Sequence, residues 1–503
     1  MSSLTEKMEL FLRKTGEVVD LRRTLALLQW DEEVCMPPKG AEARGHQIAT
    51  LAALEHRLFT SSEMRDLVAE LAAEASELSL GENDFVRETA HDLERAVRLP
   101  ESLVHRMAQA QSRAYHAWVR ARSESAFGEF LPHLAGLVAL AREKAECLGY
   151  AESPYDALLD EYERGMTASR LRPIFDTLAE RQGALVARIV ESPLQPDTAW
   201  MDRDWEEEAQ LRLTEEVLRD MGFDFEAGRQ DKSVHPFTTS FDTEDVRVTT
   251  RVNRRDFLSA LSSSVHEGGH ALYEQGFPLR YRRTLLADAP SLGMHESQSR
   301  LWENVIGRSL PFWRHYTPRV RSLFPCAPED LSPEQVWRAA NRVEPSLIRV
   351  EADECTYNLH IILRFEIETA LIEGSIEAEH VPELWNERMR LYLGCEVPDD
   401  ARGCLQDIHW SHGSFGYFPT YALGNLYAAQ LLEKMEQDMP NLWDNVAQGK
   451  FWDILGWLRK HVHARGRAVT ADRLLTEVTG KPPTPEPFLR YLEEKYAALY
   501  GLG

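Results

Sequence analysis

His266-Glu267-Gly268-Gly269-His270 puts two histidines and a glutamate within five residues. A helix advances about 100° per residue, so His266 and His270 lie about 40° apart on one face, one turn apart. Both imidazoles then reach a single ion, and Glu267 sits on an adjacent part of the same face. Two histidine ligands beside a glutamate that stays off the ion form the H-E-x-x-H arrangement, which holds a divalent metal and gives its water a general base. The flanks "LSSSV" and "ALYEQG" are mostly small or apolar. They predict a buried helix rather than one with ordinary surface His and Glu. Gly268 and Gly269 each cost about 1 kcal/mol against alanine inside a helix, so the pair implies that something approaches this helix closely.

A catalytic zinc takes three protein ligands and keeps one position open. Downstream, "PSLGMHESQSRLWENVIG", residues 290–307, begins with Pro290 and Gly293 and then turns helical. The separation from His270 lets one helix end, a loop cross and a second helix return. Glu296 is the expected third ligand, with His295 and Glu303 as rivals. His295 otherwise supports the ligands from behind or is a plain loop histidine.

The elements that must position these groups are mostly helical. "ESLVHRMAQAQSRAYHAWVRARSESAF" and "LPHLAGLVALAREKAECLG" repeat apolar residues every three or four positions. Ser332, Pro333 and Gln335 read as N-cap, first helical position and capping-box partner. The stretch from Glu344 to Gly374 reads as one long helix. Residues 232–253 break the pattern: Val, Thr and Phe alternate around a polar turn at 242–245, which predicts a hairpin or small sheet beside the His-rich helix. "TGKPPTPEPF" reads as a connection before a last helix. The expected fold class is mainly α, a large single helical body with a cleft between its N- and C-terminal parts and a small β-sheet near the H-E-x-x-H helix. Residues 1–503 are expected to form a single domain, with an N-terminal helical part at about 1–230 and a part carrying the metal motif at about 231–503.

Across 503 residues the formal charge is −24. Nucleic acid and anionic membrane surfaces are therefore poor partners, because both need a basic footprint. Six scattered cysteines without a C-x-x-C pair do not make a disulfide framework. The N-terminus lacks the uninterrupted apolar stretch of a signal peptide, and no run approaches a membrane span. A cytoplasmic protein is expected.

His266-Glu267-Gly268-Gly269-His270 followed by His295-Glu296-Ser297-Gln298 resembles the M32, or carboxypeptidase Taq, family of metallocarboxypeptidases. Other stretches strengthen the resemblance: His235-Pro236-Phe237; Asp245, Arg247 and Thr249 in the pattern D-x-R-x-T; Ile348, Arg349, Ala352 and Asp353 in I-R-x-x-A-D; and Gly403, Gln406, Asp407, His409 and Trp410 in G-x-x-Q-D-x-H-W. The opening "LLQWDEEVCMPPKGAEAR" fits as well, so the likeness covers nearly the whole chain. It implies a mostly helical metallopeptidase with a deep active-site groove, usually a homodimer, with one catalytic Zn²⁺, or Co²⁺ in some members. It also implies broad-specificity removal of single C-terminal residues from peptides with a free C-terminus.

Under that reading, His266, His270 and Glu296 hold the metal. Glu267 takes the proton from the attacking water and passes it to the leaving amine. A second donor must stabilise the developing oxyanion; the candidates are His235, His409, Tyr417 and Tyr421. A free carboxylate calls for arginine, whose planar fork pairs with it bidentately, and Arg349 is the candidate. The plain alternative is an i,i+4 ion pair between Arg349 and Asp353. Asp353 is expected to orient Arg349 or fix its helix. Gln406 and Asp407 are expected to orient His409, and Asp245 and Arg247 to support the hairpin. Two other readings remain. One is an oligopeptidase or dipeptidyl carboxypeptidase with the same ligands and a differently placed anchor. The other is a zinc-stabilised scaffold, which would close the site with a fourth ligand and would not need Glu267.

Overall fold

In the computed structural model, which describes residues 3–502, helices dominate and a single three-stranded sheet accompanies them. The amphipathic stretches fold as read. Glu101–Glu124 and Phe127–Leu148 are helices. Ser332 caps Pro333–Ala340 in a capping box with Gln335. The last helix, Glu486–Tyr500, follows the proline-rich connection. The main apolar core runs from Ala114 to Tyr500 in sequence, and a smaller one gathers Met8, Phe11, Phe85 and Leu286.

The sheet has the order β1 (Gly228–Lys232), β3 (Asp245–Thr250), β2 (Thr238–Asp242). β2 and β3 form the expected hairpin, antiparallel with Thr238 opposite Val248. β1 adds a parallel partner that begins before the expected segment. Thr249 ties the hairpin to the segment that precedes it. Its hydroxyl accepts from the Phe237 N–H at 2.9 Å and donates to the Phe237 carbonyl at 3.2 Å. Arg247 pairs with Asp245 at 3.0 Å and lies over the rings of Trp30 and Phe241. Asp245 and Arg247 thus brace the sheet.

One expectation fails. The stretch 344–374 is not one helix. Arg349–Glu351 is a single 3₁₀ turn, Ala352 is extended, and the helix proper is Tyr357–Glu373. The Asp353 carboxylate causes the break: it accepts from the backbone N–H of Cys355 at 2.8 Å and of Thr356 at 3.1 Å. A short aspartate that captures its own downstream N–H groups competes with helix continuation. Gly374 ends the helix at φ 79°, in the left-handed conformation that glycine accepts without penalty.

Candidate active site

The H-E-x-x-H motif lies on the helix Phe257–Glu274, whose start is capped by Asp256. The glycine pair is explained by two neighbours. A Cβ on Gly268 would meet Leu218 at 2.4 Å, and one on Gly269 would meet the Gln298 carbonyl and Ser299 Cα at 2.7 Å. Gly269 therefore lets the helix Leu292–Arg300 lie directly on the motif helix. That helix carries Glu296. On its other side, a Cβ on Gly424 of the helix Pro419–Asp438 would meet Glu296 Cγ at 2.5 Å. Two glycines thus seat one glutamate between two helices.

His266, His270 and Glu296 converge. Their ligand atoms lie within 4.8 Å of one another. His270 Nε2 is 3.3 Å and His266 Nε2 3.7 Å from Glu296 Oε2. Ligands on a tetrahedral ion at about 2.0–2.1 Å are separated by roughly 3.4 Å, so this donor set suits a divalent metal. His266 and His270 keep 19% and 16% of their side-chain surface exposed, so neither ring is sealed from solvent. His295 and Glu303, the rival ligands, stand behind the histidines. Glu303 Oε2 receives His266 Nδ1 at 2.9 Å. His295 Nδ1 meets His270 Nδ1 at 2.5 Å, and His295 Nε2 meets Glu274 Oε1 at 3.0 Å. For His270 Nε2 to bind metal, Nδ1 must carry the proton and donate to His295, which in turn donates to Glu274. Each histidine is thus oriented by a group ending in a carboxylate, which fixes ring and tautomer.

Electrostatics separate the three carboxylates. Burial alone would raise Glu296, but Arg300, His266 and His270 hold it well below the usual range; Arg300 Nε donates to Glu296 Oε1 at 2.7 Å. Glu303 is lowered likewise by His266, Arg308 and Arg300. Burial raises Glu267 above the usual range, against the pull of His266 and Thr238. Glu267 lies outside the ligand cluster. Its Oε2 accepts from the Thr238 hydroxyl at 2.7 Å, and Thr238 also reaches the Glu267 carbonyl at 2.8 Å. Thr238, the first residue of β2, escaped sequence reasoning; its place directly after the H-P-F motif was the available signal.

Arg349 is buried but not paired with Asp353. Its Nε and one terminal nitrogen donate to Asp407 Oδ1 at 3.0 and 2.8 Å, and the other terminal nitrogen donates to the Tyr357 hydroxyl at 2.9 Å. Asp407 also binds Arg364, which is fully buried. Two guanidinium ions share one carboxylate, so the cluster carries an excess positive charge. Gln406 does not orient His409. It accepts from the Arg349 backbone N–H at 2.9 Å and donates to the Leu347 carbonyl. Asp407 Oδ1 lies 4.0 Å from His409 Nδ1, beyond hydrogen-bond reach, because its oxygens are committed to the arginines.

Tyr357 and Arg300 join the two halves of the site, and sequence reasoning found neither. Arg300 lies over the Tyr357 ring at 4.6 Å while gripping Glu296, and the Tyr357 hydroxyl receives Arg349. Tyr421 lies beside the Arg349 guanidinium at 5.0 Å and meets His409 Nε2 at 3.2 Å. Tyr417 packs on both His409 and Tyr421. Burial lowers His409 to about 3 against the attraction of Asp407, so the ring is neutral at neutral pH. His235 is exposed in the loop between β1 and β2. It is held by its backbone, whose carbonyl accepts from Ser233.

A helical body carrying one small sheet and an open two-histidine, one-glutamate site defines a class, the helical metallopeptidases. The sequence comparisons narrow it. The profile of the carboxypeptidase Taq (M32) metallopeptidases matches residues 11–496. The chain is 44% identical to thermostable carboxypeptidase 1 of Thermus thermophilus over 98% of both chains. It is 38% identical to carboxypeptidase 1 of Bacillus subtilis over 95% of both. Among solved structures, the M32 carboxypeptidase from Deinococcus radiodurans matches with a TM-score of 0.97 at 36% identity, over 99% of this chain and 100% of that one. The chain belongs to the carboxypeptidase Taq (M32) family and is a metallocarboxypeptidase.

Proposed function

We propose that this enzyme removes single C-terminal residues from peptides with broad specificity, using Zn²⁺, or Co²⁺ in its place, held by His266, His270 and Glu296. Bound there, the ion supplies Lewis acidity to a water and to the scissile carbonyl. Glu267 is the general base. Its burial raises its proton affinity towards the working pH, and Thr238 holds the carboxylate beside the ligand face. Glu267 then delivers the proton to the leaving amine. Arg349 receives the substrate carboxylate. His409, Tyr417 and Tyr421 form the wall beside it and supply donors for the developing oxyanion, and His235 reaches the substrate from the β1–β2 loop. Gln406, Asp407 and Tyr357 hold Arg349, while Asp245, Arg247 and Thr249 hold the sheet that presents Thr238.

The observation that carries the exopeptidase reading is the buried Arg349–Asp407–Arg364 cluster. Arg349 has five N–H groups and spends three on the contacts above. The excess charge and the remaining donors suit a free carboxylate. The test is a pair of N-blocked dipeptides, identical except for a C-terminal acid or amide. The acid is expected to be cleaved and the amide to lose at least about 100-fold in kcat/KM, the worth of a charge-assisted bidentate pair. Equal cleavage of both would remove Arg349 from this role and favour an oligopeptidase.

The reading also includes a single peptidase domain with a deep groove, a homodimer and a cytoplasmic location. The net charge, the six free thiols and the lack, among the described residues, of a helix long and apolar enough to cross a membrane support the cytoplasm. The family likeness supports the dimer and the domain.

A further inference from the structure

The helix that carries Glu296 continues as a π-helix, Leu301–Gly307, all of it buried. The π form is rare and is frequently found at functional sites. Here it presents Glu303, the partner of His266 Nδ1. A helix leaves the carbonyls of its last turn without internal partners, and a buried carbonyl must find a donor elsewhere. For Asn304, the residue after Glu303, the donors come from the far end of the chain. Tyr491 Oη donates to the Asn304 carbonyl at 3.1 Å and Lys495 Nζ at 3.3 Å. Both are on the helix Glu486–Tyr500. Lys495 is itself fixed by Glu354 at 2.7 Å and by Tyr491 at 2.9 Å, with only 9% and 2% of the Lys495 and Glu354 side chains exposed. A lysine and a glutamate taken out of water cost more than a well-packed apolar pair of the same size, so stability alone does not account for them.

We propose that Lys495 and Tyr491 are positioning residues of the metal site, acting through the Asn304 carbonyl and Glu303 on His266. The inference rests on His266 being a metal ligand. It assigns the C-terminal helix a place in metal affinity although that helix contributes no ligand. The buried Lys495–Glu354 pair makes the π turn a fixed seat, so Glu303 meets His266 without a search among helical registers.

The test measures Zn²⁺ affinity of the full chain by competition with a chromogenic chelator, alongside thermal unfolding of the metal-free protein. Lys495→Met is expected to weaken Zn²⁺ binding about 10-fold, the low end for removing an outer support of a ligand, and Tyr491→Phe by less, several-fold. Tyr491→Phe removes no charge and covers the event that Lys495→Met fails to fold. The decisive comparison repeats Tyr491→Phe in a Glu303→Gln background. If Tyr491 acts through Glu303, the second substitution adds no further loss of affinity. Lower thermal stability with unchanged affinity, or full additivity with Glu303→Gln, would overturn the proposal. Failure of the wild type to take up one Zn²⁺, or retention of that ion by His266→Ala, would instead strike the ligand reading, and the proposal with it.

Discussion

Asp407 Oδ1 accepts two hydrogen bonds from Arg349, at 2.8 and 3.0 Å, while its other oxygen holds Arg364. The two arginines hold the aspartate far below the usual carboxylate range against the opposing effect of burial. One anion thus fixes the Arg349 guanidinium without neutralising the pair of arginines.

Arg349→Lys keeps the charge and loses the planar fork. It is expected to lower kcat/KM about 30- to 100-fold, mainly through KM. Asp407→Asn leaves two buried cations without their counter-ion, so it should cost about 3–5 kcal/mol of stability. Initial-rate kinetics and urea unfolding check the pair of effects. A wild-type KM in Arg349→Lys would dismiss the anchor.

Gly269→Ala and Gly424→Ala are expected to act on metal binding, not only on folding. At Gly269 the new methyl meets backbone at 2.7 Å, and at Gly424 it meets Glu296 itself. Overpacking costs about 1–3 kcal/mol, and here the strain falls on the candidate ligand Glu296. Both variants should bind Zn²⁺ more weakly than the wild type at equal temperature. Undiminished affinity would show that the helices part without disturbing Glu296.

Glu274→Gln breaks the carboxylate end of the His270–His295–Glu274 chain. Zn²⁺ affinity should fall about 10- to 100-fold. Metal removal from the wild type should lower its melting temperature, and the gain on adding metal back should follow the free-ion concentration logarithmically. A melting temperature indifferent to both metal and Glu274 would contradict the site.

Glu368 gives a pH signature away from the metal. It is fully buried and receives Trp410 Nε1 and Tyr155 Oη at 2.9 Å and Gly416 N–H at 3.1 Å, so it clamps the turn that carries His409. Burial raises it from 4.5 to about 7, against the effect of those donors. The folded state therefore keeps a proton that the unfolded chain has already lost between these values. Its contribution is fully present below pH 4.5 and is lost as pH rises through 7, by on the order of 3 kcal/mol. Buried His409 and His463, both lowered to about 3, act in the opposite sense, so the difference between wild type and Glu368→Gln isolates the carboxyl. The stability of the wild type relative to that variant should fall between pH 5 and 8. A constant difference would mean that Glu368 does not titrate there.

The candidate ligand cluster was legible because helix geometry is local: His266 and His270 need only the period of one helix, and Glu296 follows in the next. The hairpin was legible for the same reason, through alternation and a polar turn. Partners across the chain left no such trace. Asp353 looked like the mate of Arg349 while the segment read as continuous helix, but its side chain breaks that helix, and Asp407 takes the arginine. Glu303 and His295 stood close enough in sequence to be rival ligands, and only packing shows that they lie behind the histidines. Thr238, Arg300 and Tyr357 carry no motif of their own; their roles exist only once the sheet and the helices meet.

The most direct test of the central claim is digestion of an N-blocked peptide by metal-loaded wild type and metal-loaded Glu267→Gln, read by mass spectrometry over time. The account predicts a ladder of products each shorter by one C-terminal residue, and no ladder from the variant although it binds Zn²⁺ normally. Internal or dipeptide cuts by the wild type, or a ladder from Glu267→Gln at comparable rate, would contradict it.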